Sequence, residues 1–220
     1  MSLRRPLARA ALALGLVTLA ACATVEPVRT VAVDDACAAS PAELVAHPAL
    51  PPPAKETAKQ RRARAKLQFA DLAGCVHWNG SRQAAALFRI DDVAPPAQVR
   101  VRISSDTRGI LAASATLLDG GFQPIAVHGF DRFTRRGGLY SLDIFVDAGE
   151  AAPTYLLLTP EAGRAGEVDT HVGSGVSTFM VPTGGAYSHG FEQNIARPLA
   201  EGGFVSVEVH PQVAAPLSAD

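Results

Sequence analysis

The sequence has few sulfur-containing and aromatic residues. Its 220 residues include three cysteines, two methionines and one tryptophan, and aromatic residues make up only 6%. No Cys-x-x-Cys or His-x-x-x-His pair occurs, and Cys75-Val76-His77 is too closely spaced for the usual zinc ligands. Neither a phosphate-binding P-loop nor a dinucleotide-binding glycine fingerprint is present. We therefore expect no metal and no cofactor.

A charge excess and a membrane-spanning run are also lacking. The formal net charge is −1 with 19% charged residues, so no attraction to nucleic acid is expected. The apolar run from Ala10 to Leu19 is too short to cross a bilayer, which requires roughly twenty residues. Apolar residues nevertheless make up 48% of the chain, which is typical of a globular protein.

The short apolar run ends in Leu19-Ala20-Ala21-Cys22, which resembles the lipobox of bacterial lipoproteins. Arg4, Arg5 and Arg9 precede the run and form a positive n-region. The resemblance implies that the chain is cut before Cys22, which then carries a diacylglyceryl group and an acylated amino group. Two other interpretations stay open. One is an ordinary signal peptide cut after Ala21, with Cys22 a spare thiol, and the other is a short anchor that is never cut.

Lipidation at Cys22 predicts a signal peptide at residues 1–21 and a lipidated tether at residues 22–36. Three acyl chains hold a protein far more firmly than one, since each buried methylene contributes roughly 0.8 kcal/mol. In lipoproteins of diderm bacteria an Asp after the cysteine tends to retain the protein in the inner membrane. Ala23 stands there in this chain. The resemblance therefore implies a lipid-anchored protein at the periplasmic face of the outer membrane.

Cys37 and Cys75 are the only cysteines besides the expected anchor. In an oxidising envelope compartment a pair of cysteines is most simply a disulfide. Closing a loop of this length stabilises a fold by roughly 4 kcal/mol on the chain-entropy model. Two buried thiols are the alternative. We treat residues 37–80 as a small N-terminal segment that contains this disulfide.

Two contrasting patterns lie between these cysteines. Ser40-Pro41-Ala42-Glu43 is a capping-box pattern that predicts a short helix through about Ala46. Farther on, basic residues crowd together, and we call them the basic segment: Lys55, Lys59, Arg61, Arg62, Arg64 and Lys66. This segment is either a contact for anionic lipid or an acidic glycan, or a solvated linker or helix face.

Residues 81–220 have the pattern of a β-rich domain. Val99, Val101 and Ile103 alternate with polar residues, which indicates a strand with one wet face. Glycine-rich turn signals separate this strand from the others. Short strands at such intervals predict an antiparallel β-sandwich of jelly-roll type, with a short helical N-terminal segment. The other predicted strands are 84–90, 111–118, 125–130, 140–146, 154–158, 176–181 and 204–209.

The order and spacing of several segments in this domain are similar to those of the maltose operon periplasmic protein (MalM-like) family. The resemblance covers residues 84–210 and implies an association with carbohydrate uptake. It supplies no catalytic residue and does not include the basic segment. The segments that carry it are Ile110 to Asp119, Phe122 to Ile125, Thr154 to Thr159, Tyr187 to Gly190, Arg197-Pro198 and Gly202 to Val207.

No convincing catalytic motif is present. Gly-x-Ser-x-Gly is absent. Asp169, His171 and Ser174 are too close in sequence to form a triad, whose members normally meet through the fold. The six histidines are scattered singly. We therefore expect a protein that is not an enzyme.

Carbohydrate binding would use exposed aromatic faces beside amide and carboxylate groups. Trp78 and Asn79 have this chemistry, as do Tyr187, His189 and Phe191. The alternative for Trp78 is core packing near Cys75, and for Tyr187 and Phe191, four residues apart on a short helix, it is packing against the sheet.

The leading hypothesis is a non-enzymatic, lipid-anchored envelope protein, accessory to carbohydrate binding or transport. Its expected partners are the membrane, a glycan or a transport-system protein, and no nucleic acid. The alternative is a structural or assembly lipoprotein that contacts lipid or peptidoglycan through the basic segment.

Overall fold

The computed structural model describes residues 31, 36–50, 57, 59–60, 67–90, 95–104, 109–136, 138–147, 152–180 and 184–211. The predicted anchor at Cys22 lies outside these ranges, as do five residues of the basic segment: Lys55, Arg61, Arg62, Arg64 and Lys66. One short helix, α1, covers Phe69–Leu72. The strands are β1 (Ala46–Pro48), β2 (Gly74–Trp78), β3 (Ser81–Arg89), β4 (Ala97–Ser104), β5 (Ile110–Leu111), β6 (Ala113–Leu118), β7 (Pro124–His128), β8 (Thr134–Arg136), β9 (Leu139–Val146), β10 (Tyr155–Pro160), β11 (Val168–Met180), β12 (Ala186–Ala200) and β13 (Phe204–Pro211).

Two sheets enclose the main core, which confirms the predicted mainly β sandwich. The larger sheet has the order β1-β3-β10-β6-β7, with β2 beside β1 on the same edge of β3. The smaller sheet has the order β13-β4-β9-β8. Alternate residues of facing strands, such as Phe88, Val101, Ile144, Leu156 and Val207, meet in one buried cluster. This period of two is the physical basis of the sandwich, because successive side chains of a strand point to opposite faces.

The outer face of the larger sheet is covered by the N-terminal segment. Ala85, Leu87 and Leu157 form a second buried cluster there, and Leu44 and Trp78 pack against it. Both faces of β3 are therefore buried, whereas the predicted wet face of β4 carries Arg100 and Arg102. Since β1 and β2 both pair with β3, the N-terminal segment and the sandwich share one sheet.

The Cys37–Cys75 disulfide fastens this cover to the sheet. The two Cα atoms lie 4.6 Å apart. Ala38 continues the attachment, because its amide donates to the Cys75 carbonyl and its own carbonyl accepts from the His77 amide.

β11 and β12 form a long antiparallel hairpin, whose register runs from Val168 opposite Pro198 to Met180 opposite Ala186. Its base is joined to the body by a short parallel pairing of Leu199 and Ala200 with β5. Nearly all of its outer residues are exposed. We call β11 and β12 together the ribbon.

Two local expectations were wrong. The predicted helix from Ser40 to about Ala46 is a single 3-10 turn, Pro41–Glu43, because the Ser40 side chain makes no capping bond and β1 begins at Ala46. The short helix considered for Tyr187 and Phe191 is strand β12. Residues four apart share a face in a helix and in a strand, so the spacing of Tyr187 and Phe191 did not distinguish a helix from a strand.

Candidate functional site

A surface cleft of about 380 Å³ lies on the outer face of the larger sheet. This volume is within the range of small-molecule sites, which is roughly 300–1,000 Å³. Three parts of the chain form it: the 3-10 turn of the N-terminal segment, the end of β2, and the loop between β6 and β7. The lining residues are Ala39, Ser40, Pro41, Ala42, His77, Trp78, Gly121, Phe122, Gln123 and Pro124.

Trp78 forms one wall of this cleft and is half-buried, with its inner side packed on the second core cluster. It ends β2 directly before a tight turn in which Asn79 (φ 49°) and Gly80 (φ 76°) both have positive φ. Trp78 pairs with Ser81 across this turn, as in a two-residue β-hairpin. Asn79 is therefore explained by the turn and is not among the cleft residues, whereas Trp78 is.

Phe122 faces the same cleft and is held in an unusual conformation. Its φ of 60° lies in the left-handed region, which bulky residues rarely adopt. The Asp119 carboxylate fixes the loop by accepting from the amides of Gly121 and Gln123, both at 2.8 Å. The Phe122 ring stacks on Tyr155 with centroids 4.5 Å apart. Strained residues persist where their surroundings determine them and cluster at functional sites.

The polar groups of the cleft are few and mostly uncharged. Ser40, His77 and Gln123 supply hydroxyl, imidazole and amide groups, and the lining residues that the structure describes include no carboxylate, lysine or arginine. His77 is exposed. Aromatic walls beside a few neutral hydrogen-bonding groups suit a neutral, ring-shaped polar molecule.

No protein-family model, curated protein or solved structure matches this chain.

The structure separates the aromatic residues that the sequence proposed for glycan binding. Tyr187, His189 and Phe191 lie on one face of β12, and none of them lines the cleft that contains Trp78. Phe191 lies directly opposite Gly175, and Tyr187 lies opposite Phe179.

Asp169, His171 and Ser174 do not form a triad. All three are on β11, where odd and even positions point to opposite faces, so Ser174 points away from the other two. Asp169 instead accepts a hydrogen bond from Tyr140 and forms an ion pair with Arg135 at 2.8 Å. Tyr140 and Arg135 both belong to the smaller sheet. Burial, followed by the hydrogen bond to Asp169, raises the pKa of Tyr140 to about 12. This group fastens the ribbon's base to the smaller sheet.

The expectations about metal binding, the membrane and the basic segment concern residues of which the structure describes only a part. In the part of the chain that the structure describes, no three His, Cys, Asp or Glu residues are grouped to hold a metal ion. None of the helices described there is long and apolar enough to cross a bilayer. Within the described ranges the basic segment is represented by Lys59, which is helical and exposed.

Sequence reasoning missed Phe122, Gln123, Ser40 and His77 as cleft residues. Asp119-Gly120-Gly121 is one of the glycine-rich turn signals of the sequence, and its Asp119 carboxylate accepts from the amides two and four residues farther on. Phe122 and the N-terminal segment line one cleft although they are distant in sequence, and no local pattern indicates this.

Proposed function

We propose that this protein is a non-enzymatic, lipid-anchored protein of the bacterial cell envelope that binds a neutral carbohydrate in the cleft between Trp78 and Phe122. It acts as an accessory to carbohydrate binding or transport at the periplasmic face of the outer membrane. The lipobox-like stretch before Cys22 and the MalM-like pattern support the location and the carbohydrate.

The observation that carries the proposal is the strained Phe122 beside Trp78. A non-glycine residue at positive φ costs on the order of 1 kcal/mol or more, so a loop that only had to turn would favour glycine or asparagine. Here the loop presents an aromatic ring to a cleft that Trp78 also lines, together with hydroxyl, imidazole and amide groups. The described lining residues include no carboxylate beside His77, which suits binding more than acid–base chemistry.

The experiment uses Trp78 as its own reporter, because it is the only tryptophan. We expect neutral oligosaccharides, with maltooligosaccharides tested first, to change its emission saturably. Phe122→Gly should raise Kd about tenfold, corresponding to roughly 1.4 kcal/mol, while glycine keeps the positive φ of the loop.

Phe145→Ala is the matched control, because Phe145 is 58% exposed on β9 and is not a cleft residue. It should leave Kd unchanged. Failure of every glycan in a broad array to change the emission would remove the carbohydrate from the proposal.

The anchor is tested separately. We expect the parent chain to incorporate a fatty-acid analogue in a diderm host and Cys22→Ala to incorporate none. Undiminished labelling of Cys22→Ala would contradict the anchor and leave the cleft proposal standing.

A further inference from the structure

The ribbon collects apolar surface that the sandwich does not use. Most of the large apolar side chains exposed in the described part of the chain lie on it: Val168, Val172, Val176, Phe179, Met180, Tyr187 and Phe191. Exposure along one face of β11 rises from 62% at Val168 to 80% at Met180. Thr170, Ser174 and Thr178 lie between these residues on the same face, so the exposed apolar side chains are closest together at the tip, where Phe179, Met180 and Tyr187 lie.

The outer part of the ribbon also lacks carboxylates, lysines and arginines. From Thr170 to Phe191 the sequence contains no Asp, Glu, Lys or Arg, although charged residues make up 19% of the chain. The charged residues of the ribbon are Asp169, Glu192 and Arg197, which lie at its base and middle. The tip therefore has no charged group to desolvate when it enters an apolar medium.

Apolar residues at the tip point to both faces of the ribbon. Phe179 and Tyr187 lie opposite each other on one face, exposed by 61% and 65%, and Met180 points to the other. A flat protein surface contacts only one face, whereas an apolar fluid surrounds both. From these observations we infer that the ribbon tip inserts into the interface of a lipid bilayer, with Phe179, Met180 and Tyr187 as the inserted side chains.

The length of the ribbon fits this role. Its thirteen β11 residues span roughly 44 Å at the usual rise of a strand. Val31 shares a small cavity with Glu201, directly after β12, and so lies at the ribbon's base. Val31 is nine positions after Cys22 in the sequence, a distance of at most about 32 Å when the chain is extended. A lipid at Cys22 therefore keeps the base within the ribbon's own length of the membrane; this distance argument rests on the proposed anchor.

The ribbon's edges set the depth of insertion. Within the described ranges no strand pairs with the outer edge of β11, and β12 pairs with β5 only at Leu199 and Ala200. Unpaired backbone groups are costly in the hydrocarbon core, so only the last two or three residues of each strand enter, to about 5–10 Å.

The test is depth-dependent quenching by lipids with brominated acyl chains, in phosphatidylcholine vesicles reconstituted with the full chain. Trp78 gives the baseline, and a second tryptophan is added by Tyr187→Trp at the tip or by Phe145→Trp on the smaller sheet. We expect bromine to lower the emission at position 187 about twofold and the emission at position 145 hardly at all. Equal quenching at both positions, or none at either, would overturn the inference whether or not the chain is lipidated.

Two aspartate variants in the Tyr187→Trp chain separate the tip from the rest of the ribbon. Met180 and Val168 lie on the same face of β11 at opposite ends, and both are exposed. Met180→Asp should abolish the quenching, and Val168→Asp should preserve it. If no quenching occurs and both variants instead dissociate a dimer, the ribbon binds a second copy of the chain and the bilayer inference is wrong. Fatty-acid labelling reports on the anchor independently.

Discussion

At the scale of single residues, two positions with positive φ have different meanings. Asn79 precedes Gly80, and Asn-Gly between two strands is the strongest short-range hairpin signal, so its conformation could be predicted from the sequence. Phe122 also has a positive φ, although phenylalanine does not favour this backbone conformation. Only the structure shows that Asp119 and Tyr155 hold it in place. The backbone preferences of phenylalanine do not predict this conformation, because contacts with other residues impose it.

Tyr140 is a second residue whose role depends on contacts across the fold. Its ring packs on Phe130, with centroids 5.3 Å apart, and its hydroxyl donates to Asp169. The residue is 5% exposed. Nothing in its strand pattern distinguished it from an ordinary inward-facing residue, and the sequence predicted only its burial.

The raised pKa of Tyr140 makes the free energy of unfolding dependent on alkaline pH. An unfolded tyrosine loses its proton near pH 10, whereas the folded residue retains it to about pH 12. Between these values the folded state binds more protons, so the free energy of unfolding falls as pH rises. Urea unfolding of the parent and of Tyr140→Phe should therefore converge between pH 10 and 12.

Tyr187→Phe, which removes an exposed tyrosine, is the control and should follow the parent throughout. Parallel stability curves for the parent and Tyr140→Phe across this range would show that Tyr140 does not titrate as expected.

At the scale of elements, alternation predicted the core strands well and the ribbon poorly. Six core strands overlap predicted strands, because one or both of their faces are buried and their apolar residues are spaced accordingly. These strands are β3, β4, β6, β9, β10 and β13. β12 was missed, since Gly190, Asn194 and Pro198 interrupt its pattern and its aromatic residues also fit a helical spacing. A strand with no buried face has little reason to alternate.

Gly175 makes room for Phe191 in the ribbon. A Cβ at Gly175 would lie 2.5 Å from the ring of Phe191, whereas a Cβ at Gly190 would meet nothing within 4 Å. We expect Gly175→Ala to displace the ring and speed amide exchange in the outer ribbon about tenfold, while Gly190→Ala does not. The melting temperature should change little in either variant, because the ribbon contributes few residues to the core. Hydrogen exchange followed by mass spectrometry checks this, and similar exchange in both variants would contradict it.

The N-terminal segment is held on the sheet by its disulfide as well as by packing. Cys75→Ser should lower the free energy of unfolding by about 2–4 kcal/mol, because the open chain regains loop entropy. Trp78 packs on the face that this segment covers, so its emission should shift to the red at lower urea. Cys22→Ala, which leaves the pair intact, is the control. Identical urea midpoints for Cys75→Ser and the parent would show that packing alone fixes the segment.

At the scale of the whole molecule, the cleft and the ribbon tip are built from different parts of the chain. The cleft combines the N-terminal segment with β2 and the loop before β7, and the ribbon leaves the body at β5. The sandwich class could be predicted from the sequence, because it depends only on the burial of every second side chain along each strand. The cleft did not, because it needs the tertiary placement of residues that are up to about eighty positions apart.

The basic segment tests whether the whole molecule also uses charge at the membrane. If it contacts anionic lipid, each basic group near the surface contributes about 1 kcal/mol, and salt screens the contact beyond roughly 10 Å at 0.1 M. Replacing Arg61 and Arg62 by Gln should then weaken binding to vesicles rich in phosphatidylglycerol at low salt and leave the melting temperature nearly unchanged. Replacing the exposed Arg132 and Arg136 by Gln removes the same charge elsewhere and should have a smaller effect. Equal binding by the parent and both variants would leave the segment as a solvated linker or helix face.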